Sequence, residues 1–345
     1  LNQVEKFTNL NFIEVEDGSS TFGDIRFSEA SEAILGGALG VGFFPGMGSR
    51  LDSNSYNDLN GDVFLADNLD TQYGTSGSLL NYIVMHEIGH ALGLAHPFHA
   101  GDMNPAFHDL NCACPTCCAE NQFVLGSNNT QGSTARDSSV YTVMSYGFSQ
   151  NGNGRMTSSD PTSSTYMVDD VRALQHLYGT DTSFSSGNNI YDYSFFASDN
   201  SGFIKSIYDY AGTDTFDFTN QSFETRGILN SNDYLFLDGN PANGTVTSIS
   251  DSDILDLQNF EGVLGMANSY IEQFFGGDGS DEITAGSSGS VLFGGFASRV
   301  VDALTAGSGE DRIVIHDSGF LASKDECDVV TGFDVSSDKF ALEGG

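Results

Sequence analysis

The sequence predicts an α+β domain over residues 1–180, followed by an all-β domain over residues 181–345 of the parallel β-roll type. Three observations lead there. Up to about residue 180, short β-like runs alternate with helical apolar patterns, and one of those helices carries closely spaced histidines. Past that point the texture changes to short strands set between glycine and aspartate turns. Within this second half, GGDGSDEIT at 276–284 fits the nine-residue repeat G-G-x-G-x-D-x-U-x that builds calcium-binding parallel β-helices.

Taking the elements in order, LNQVEKFTNLNF at 1–12 reads as the tail of an amphipathic helix whose start is missing, with no signal peptide before it. FGDIRF at 22–27 and GDVFLADN at 61–68 read as strands. AILGGALGVGFF at 33–44 is the longest apolar run, too short and too glycine-rich to span a bilayer, so no membrane span is expected. LLNYIVMHEIGHAL at 79–92 reads as a helix with an apolar stripe of Leu80, Ile83, Val84, Ile88, Ala91 and Leu92, burying one side. Ser76 or Ser78 is available as its N-cap. A second helix over YMVDDVRALQHLYG, 166–179, ends on Gly179 as C-cap, and the turn-rich sequence after it sets the domain boundary near 180.

In the second half YAGTDTFDF, NDYLFLDG, GGDGSDEIT and AGSGEDRIV read as strand and turn units. The repeat at 276–284 supplies Gly277, Gly279 and Asp281 as calcium ligands. Counting on in nines, AGSSGSVLF (285–293) puts Ser290 where the aspartate belongs, and GGFASRVVD (294–302) puts Arg299 there. Those two turns are read as having lost a ligand. After three extra residues, AGSGEDRIV (306–314) restores the pattern with Gly307, Gly309 and Asp311.

The chemistry concentrates in HEIGHALGLAH, 86–96. His86 and His90 lie one turn apart on one helix face, about 6 Å along the axis, and can share a metal. On an unbroken helix His96 would lie about 15 Å from His86. Gly93 resolves this, because glycine enters a left-handed conformation at little steric cost and ends the helix where the chain must double back. Three neutral imidazoles leave a zinc ion one open position for water, the arrangement of a catalytic site. Glu87, adjacent to a ligand but not needed as one, is placed to act as general base.

H-E-x-x-H-x-x-G-x-x-H is the metzincin pattern, and the chain resembles that clan. VYTVMSYG at 140–147 resembles its Met-turn, with Met144 as the methionine beneath the zinc. Within the clan the resemblance is to the serralysins, and it covers nearly the whole chain: FTNLNFIEV at 7–15, the zinc motif, the Met-turn, QHLYG at 175–179, the calcium turns, and DVVTGFDVSSDKFAL at 328–342. It implies a secreted, zinc-dependent endopeptidase acting on extracellular protein or peptide. It further implies that Tyr146 approaches the zinc and stabilises the oxyanion, that GDVFLADN is the upper edge strand of the cleft, and that Asp214 and Glu272 are additional calcium ligands. The cofactors implied are one catalytic Zn2+ and several structural Ca2+, in a protein expected to be a monomer. The competing reading is a calcium-dependent surface or adhesion protein whose zinc domain survives as a scaffold, against which the retention of Glu87 counts.

Charge narrows the partners. Twelve lysines and arginines against 47 acidic residues give a formal charge of −35, which excludes nucleic acid and anionic membranes and favours cations. His99, His108, His176 and His316 fit no ligand spacing, and Asp102 and Asp109 are expected to face water. Cys112, Cys114, Cys117 and Cys118 have the spacing of a second zinc site or of two disulfides. Export, as the resemblance implies it, favours the disulfides. A bond between the adjacent Cys117 and Cys118 is strained, so Cys112 and Cys114 each bond one of the later two, the pairing being open. Cys327 is expected as a free, buried thiol.

Overall fold

The computed structural model describes residues 1–16, 22–45, 59–69, 79–97, 138–146, 162–196, 203–238, 262–296, 300–316 and 327–343. The chain forms two compact units, Leu1–Thr180 and Asp181–Gly345. Ser76, Ser78, His99, Asp102, His108, Asp109, Arg299 and the four clustered cysteines lie outside the described residues.

The first unit contains α1 (Asn2–Glu5), β1 (Phe27–Ala30), β2 (Gly40–Gly42), β3 (Val63–Ala66), α2 (Leu79–Ala91) and α3 (Val168–Tyr178). Its sheet runs β1-β3-β2, with β1 parallel and β2 antiparallel to β3. Two sequence expectations are corrected here. FGDIRF contributes only Phe27 to a strand; the preceding Arg26 instead reaches Asp62, Nε to Oδ1 at 2.9 Å and Nη2 to Oδ2 at 2.6 Å. GDVFLADN supplies the central strand and not the edge, because Val63 and Ala66 are buried and both backbone sides of β3 are taken up by neighbours. Among the described residues, the edge strand on the α2 side is β2, from the glycine-rich run 33–44.

The stripe on α2 predicts one buried side, yet Tyr82, Met85, His86, Glu87, Gly89 and His90 are buried as well. The face opposite the stripe is covered by β2 and by the segment 138–146: a Cβ on Gly42 would lie 2.2 Å from the Glu87 carbonyl oxygen, and one on Gly89 2.5 Å from Met144 Sδ. The helix ends in a left-handed glycine cap. Gly93 has φ +101°, its N–H bonds the His90 carbonyl at 2.9 Å, and the Leu94 N–H bonds the Gly89 carbonyl at 2.8 Å. On the other side of the site, α3 is tied to the N-terminal segment by Gln175 Nε2 donating to the Phe7 carbonyl, 3.0 Å, and by Asn9 N donating to the Gly179 carbonyl, 3.2 Å.

The second unit contains β4 (Ile190–Asp192), α4 (Tyr193–Phe196), β5 (Phe203–Ile207), β6 (Thr215–Asp217), β7 (Glu224–Ile228), β8 (Tyr234–Asp238), β9 (Gly262–Met266), β10 (Gln273–Phe275), β11 (Glu282–Thr284), β12 (Val291–Phe293), β13 (Ala303–Thr305), β14 (Arg312–His316), β15 (Val329–Thr331) and β16 (Lys339–Glu343). They make two sheets, β16-β14-β12-β10-β6-β4 and β15-β13-β11-β7-β8-β9-β5. From β10 onward successive strands alternate between the sheets and every pairing is parallel, a winding compatible with a β-roll. The half is not parallel throughout, since β8 pairs antiparallel with both β7 and β9.

One residue per turn fills the space between the sheets: Phe274, Ile283, Leu292, Leu304 and Ile313 are at most 1% exposed. Leu304 corrects the repeat count. The three extra residues lie before β13 and not after 302, so Asp302 takes the place that Asp281 holds before β11, and the aspartate position is not Arg299. The buried apolar position decides the register, because Leu304 fills the core whereas Val301, favoured by counting in nines, is only half-buried. Cys327 is half-buried and in no disulfide among the described residues, which corrects the expectation of a buried thiol.

Candidate metal centre

The cap at Gly93 returns the chain so that His96 Nε2 lies 3.0 Å from His86 Nε2 and 3.1 Å from His90 Nε2. Among the described residues, these three buried histidines are the group whose ligand atoms converge as a metal requires. The opposite ring nitrogens fix the tautomers. His86 Nδ1 sits 2.7 Å from the Val143 carbonyl and His90 Nδ1 2.7 Å from the Leu94 carbonyl. A carbonyl only accepts, so both rings carry the proton on Nδ1 and turn a bare Nε2 inward. Bare nitrogens at this spacing repel unless a cation lies between them. A zinc ion with Zn–N of about 2.0–2.1 Å sets tetrahedral edges of roughly 3.3 Å, so the residues fit it. Burial also holds His86 neutral, lowering its pKa to about 4 against the opposing effect of the Val143 bond.

Glu87 is 7% exposed and accepts a hydrogen bond from the Gly42 backbone N–H. Burial pushes its carboxyl up to about 7, and the Gly42 bond pulls the other way. A bound dication would add to that downward pull. Tyr146 is 40% exposed, with its ring centroid 4.5 Å from that of His96 and 5.4 Å from that of His86. Met144 is buried beneath, against Gly89, and Tyr82 Oη ties α2 to this turn by donating to the Ser145 carbonyl at 2.8 Å. The structure thus brings His86, Glu87, His90, His96, Met144 and Tyr146 together. Gly42 and Asp170 belong to the same surroundings, and the sequence did not point to either. Asp170 sits in the first turn of α3, where an acidic residue is ordinarily explained by the helix dipole. Its burial between apolar Val168 and Val171 was the available signal.

The acidic residues of the second unit form two rows. In one, Asp281 accepts the Thr225 N–H (2.7 Å), Asp302 the Asp281 N–H (2.8 Å) and Asp328 the Asp302 N–H (3.1 Å). In the other, Asp214 accepts from Asn189 (2.8 Å), Glu272 from Asp214 (2.8 Å), Asp311 from Ser290 (2.7 Å) and Asp338 from Asp311 (3.1 Å). Asp209, which the sequence did not single out, is fully buried beside Asp214 and accepts from Tyr191 Oη. Asp209 and Asp214 face one another within hydrogen-bonding reach, and Asp209 Oδ1 and Asp214 Oδ2 are buried without another donor, so the pair shares a proton or holds a cation. Burial, reinforced by the Asp214 charge, pushes Asp209 up to about 7. Burial also raises Asp281, with Asp302 adding to it, and lifts Asp302 to about 7. The turn glycines pack on neighbouring backbone: a Cβ on Gly277 would meet the Gln221 carbonyl, one on Gly279 the Phe223 carbonyl, one on Gly307 the Gly286 carbonyl and one on Gly309 the Gly289 nitrogen.

Three converging imidazole nitrogens, a carboxyl beside them and a methionine-containing turn beneath make this site similar to that of a metzincin, and a family model described as Met-zincin matches residues 69–109. Metallopeptidase AprA of Pseudomonas marginalis is 28% identical over 291 residues, covering 80% of this chain and 50% of that protein. Serralysin C of Dickeya chrysanthemi is 28% identical over 256 residues, covering 71% of this chain and 43% of that protein. Serralysin of Photorhabdus sp. (strain Az29) is 28% identical over 248 residues, covering 69% and 45%. Among metzincins, then, the chain is serralysin-like. It spans about half the length of the curated relatives it matches.

Proposed function

We propose that this chain carries the activity of a secreted zinc-dependent endopeptidase that cuts extracellular proteins, with calcium stabilising its second unit. The observation that carries the reading is the convergence of His86, His90 and His96 beside the buried carboxyl of Glu87. Zinc, when bound, supplies Lewis acidity to a water molecule and to a carbonyl oxygen. Glu87, its carboxyl held in place by the Gly42 N–H, would act as the general base toward an attacking water and return the proton to the leaving amine. The Phe43 N–H and the Leu39 carbonyl bond toward β3 and the Gly42 N–H holds Glu87, and β2, an edge strand among the described residues, is the strand along which an extended substrate would lie. Among the described residues no helix is long and apolar enough to cross a membrane.

The reading is tested on casein, with the products mapped by mass spectrometry. Internal fragments lost on chelation of zinc are expected; intact casein, or trimming from the ends alone, contradicts an endopeptidase.

Tyr146, packed against two ligand rings and partly open to solvent, is assigned to the oxyanion. Tyr146→Phe should lower kcat by roughly 10²-fold and move KM by less than about threefold, since an oxyanion contact acts mainly in the transition state. A rise in KM with kcat unchanged would assign Tyr146 to substrate binding instead.

For calcium the chain offers Asp214, with Asp209 and Glu272 as neighbouring acids on either side of it. In the stacked turns it offers Asp281, Asp302 and Asp328 with Gly277 and Gly279, and Asp311 and Asp338 with Gly307 and Gly309. Oxygen-only donors with several carboxylates are the ligand set calcium takes. The buried oxygens of Asp209 and Asp214 fit a cation in place of the proton they would otherwise share.

A further inference from the structure

We infer that Thr142 and Asp170 position the zinc ligand His86 through an unbroken chain of hydrogen bonds across one peptide unit. The inference rests on the zinc reading of the three histidines. It starts at the His86 ring, whose Nδ1–H donates to the Val143 carbonyl at 2.7 Å. The N–H of that same peptide unit belongs to Met144, and it donates to Thr142 Oγ1 at 3.0 Å. The Thr142 hydroxyl in turn donates to Asp170 Oδ1 at 2.6 Å. Every donor points the same way, from the imidazole toward the carboxylate.

The far end of the chain is fixed. Asp170 is 2% exposed, and its other oxygen accepts the Val143 N–H at 2.8 Å and the Met167 N–H at 2.9 Å. One carboxyl therefore holds the turn 142–144 and the start of α3 together and stands as the final acceptor of a polarised row of dipoles. Aligned hydrogen bonds strengthen one another, and a stronger acceptor behind a ligating histidine orients the ring and makes the opposite nitrogen a better donor to a metal. Within one turn Thr142 does two separate jobs, since its hydroxyl hydrogen goes to Asp170 while its oxygen receives the Met144 N–H. His90 is held differently, by the Leu94 carbonyl just after the Gly93 cap. The two histidines should therefore respond differently when Thr142 is changed, which a general loss of structure would not produce.

Thr142→Val keeps the side-chain shape and removes the hydroxyl, and Thr142→Ser keeps the hydroxyl. In the full chain, zinc affinity measured by competition with a chromophoric chelator should fall about 10- to 100-fold in Thr142→Val. Thr142→Ser should stay within about threefold of the unaltered protein. In the cobalt-loaded protein, the paramagnetically shifted Nδ1–H signal of His86 should move and exchange faster with water in Thr142→Val, while that of His90 stays. Equal zinc affinity in Thr142→Val, or His86 and His90 signals that move together, would overturn the inference. If Thr142→Val does not fold, Thr142→Cys, which retains a weaker donor, should show an intermediate loss, and an affinity equal to the unaltered protein would overturn the inference. Failure of the unaltered chain to bind zinc at all would instead remove the zinc reading on which this rests.

Discussion

Glu87→Gln should lower kcat/KM on casein by roughly 10³-fold while the chain still holds one zinc ion. The loss lies within the range expected for removing a general acid–base group. Glutamine keeps the size of the side chain and an oxygen to accept the Gly42 N–H, so the packing of β2 against α2 survives. What it lacks is the ability to take a proton. The metal stays because its donors are the three Nε2 atoms and not Glu87, with the tautomers of His86 and His90 set by the Val143 and Leu94 carbonyls. Metal content and turnover measured on the same sample check this, and near-normal turnover with zinc in place would contradict the mechanism.

The second large effect concerns calcium. Asp302→Ala should remove most of the rise in melting temperature that calcium gives the second unit, and Arg299→Ala should leave that rise unchanged. A site at 100 times its Kd contributes about 2.7 kcal/mol, or roughly 5–10 °C for a unit of this size. The effect depends on pH in a definite direction. The folded-state pKa of Asp302, about 7, lies above the ordinary carboxyl value, so the folded chain binds more protons than the unfolded chain between about pH 4 and 7. Without calcium, the stability of this unit therefore falls as pH rises through that window. Calcium competes with the protons for the same carboxylates, so its stabilising effect should be larger at pH 7.5 than at pH 5. Calorimetry at the two pH values, with calcium and with chelator, reads this directly. Equal shifts at both, or loss of the shift in Arg299→Ala, would contradict the assignment of the turns.

The elements legible in the sequence were those whose signal is local. Three histidines and a glycine within eleven residues state both a helix and its reversal, because φ above zero at Gly93 is a property of that one position. The inward residues of the stacked parallel strands are legible for the same reason, each belonging to a short period. The errors arose where pairing or an insertion decides. Nothing local tells a central strand from an edge strand, so the edge position that the resemblance implies for GDVFLADN falls to Gly40–Gly42 in the structure. That strand approaches the helix closely because its glycines carry no side chain toward Glu87. Counting in nines does not carry across 294–305, where three extra residues precede β13, and the burial of Leu304 shows where the register resumes. Asp170 and Asp209 escaped notice because each acts through partners distant in sequence: Asp170 through Thr142, 28 positions away, and Asp209 through Tyr191, 18 positions away.

The central claim, a single zinc ion at His86, His90 and His96 serving peptide hydrolysis, is tested most directly by titrating zinc into metal-free protein while following casein cleavage. Activity should be absent at the start, rise in proportion to added zinc, and level off at one equivalent per chain, with His96→Ala neither binding zinc tightly nor regaining activity. Cleavage that persists in the metal-free chain, or that returns in full to His96→Ala, would contradict it.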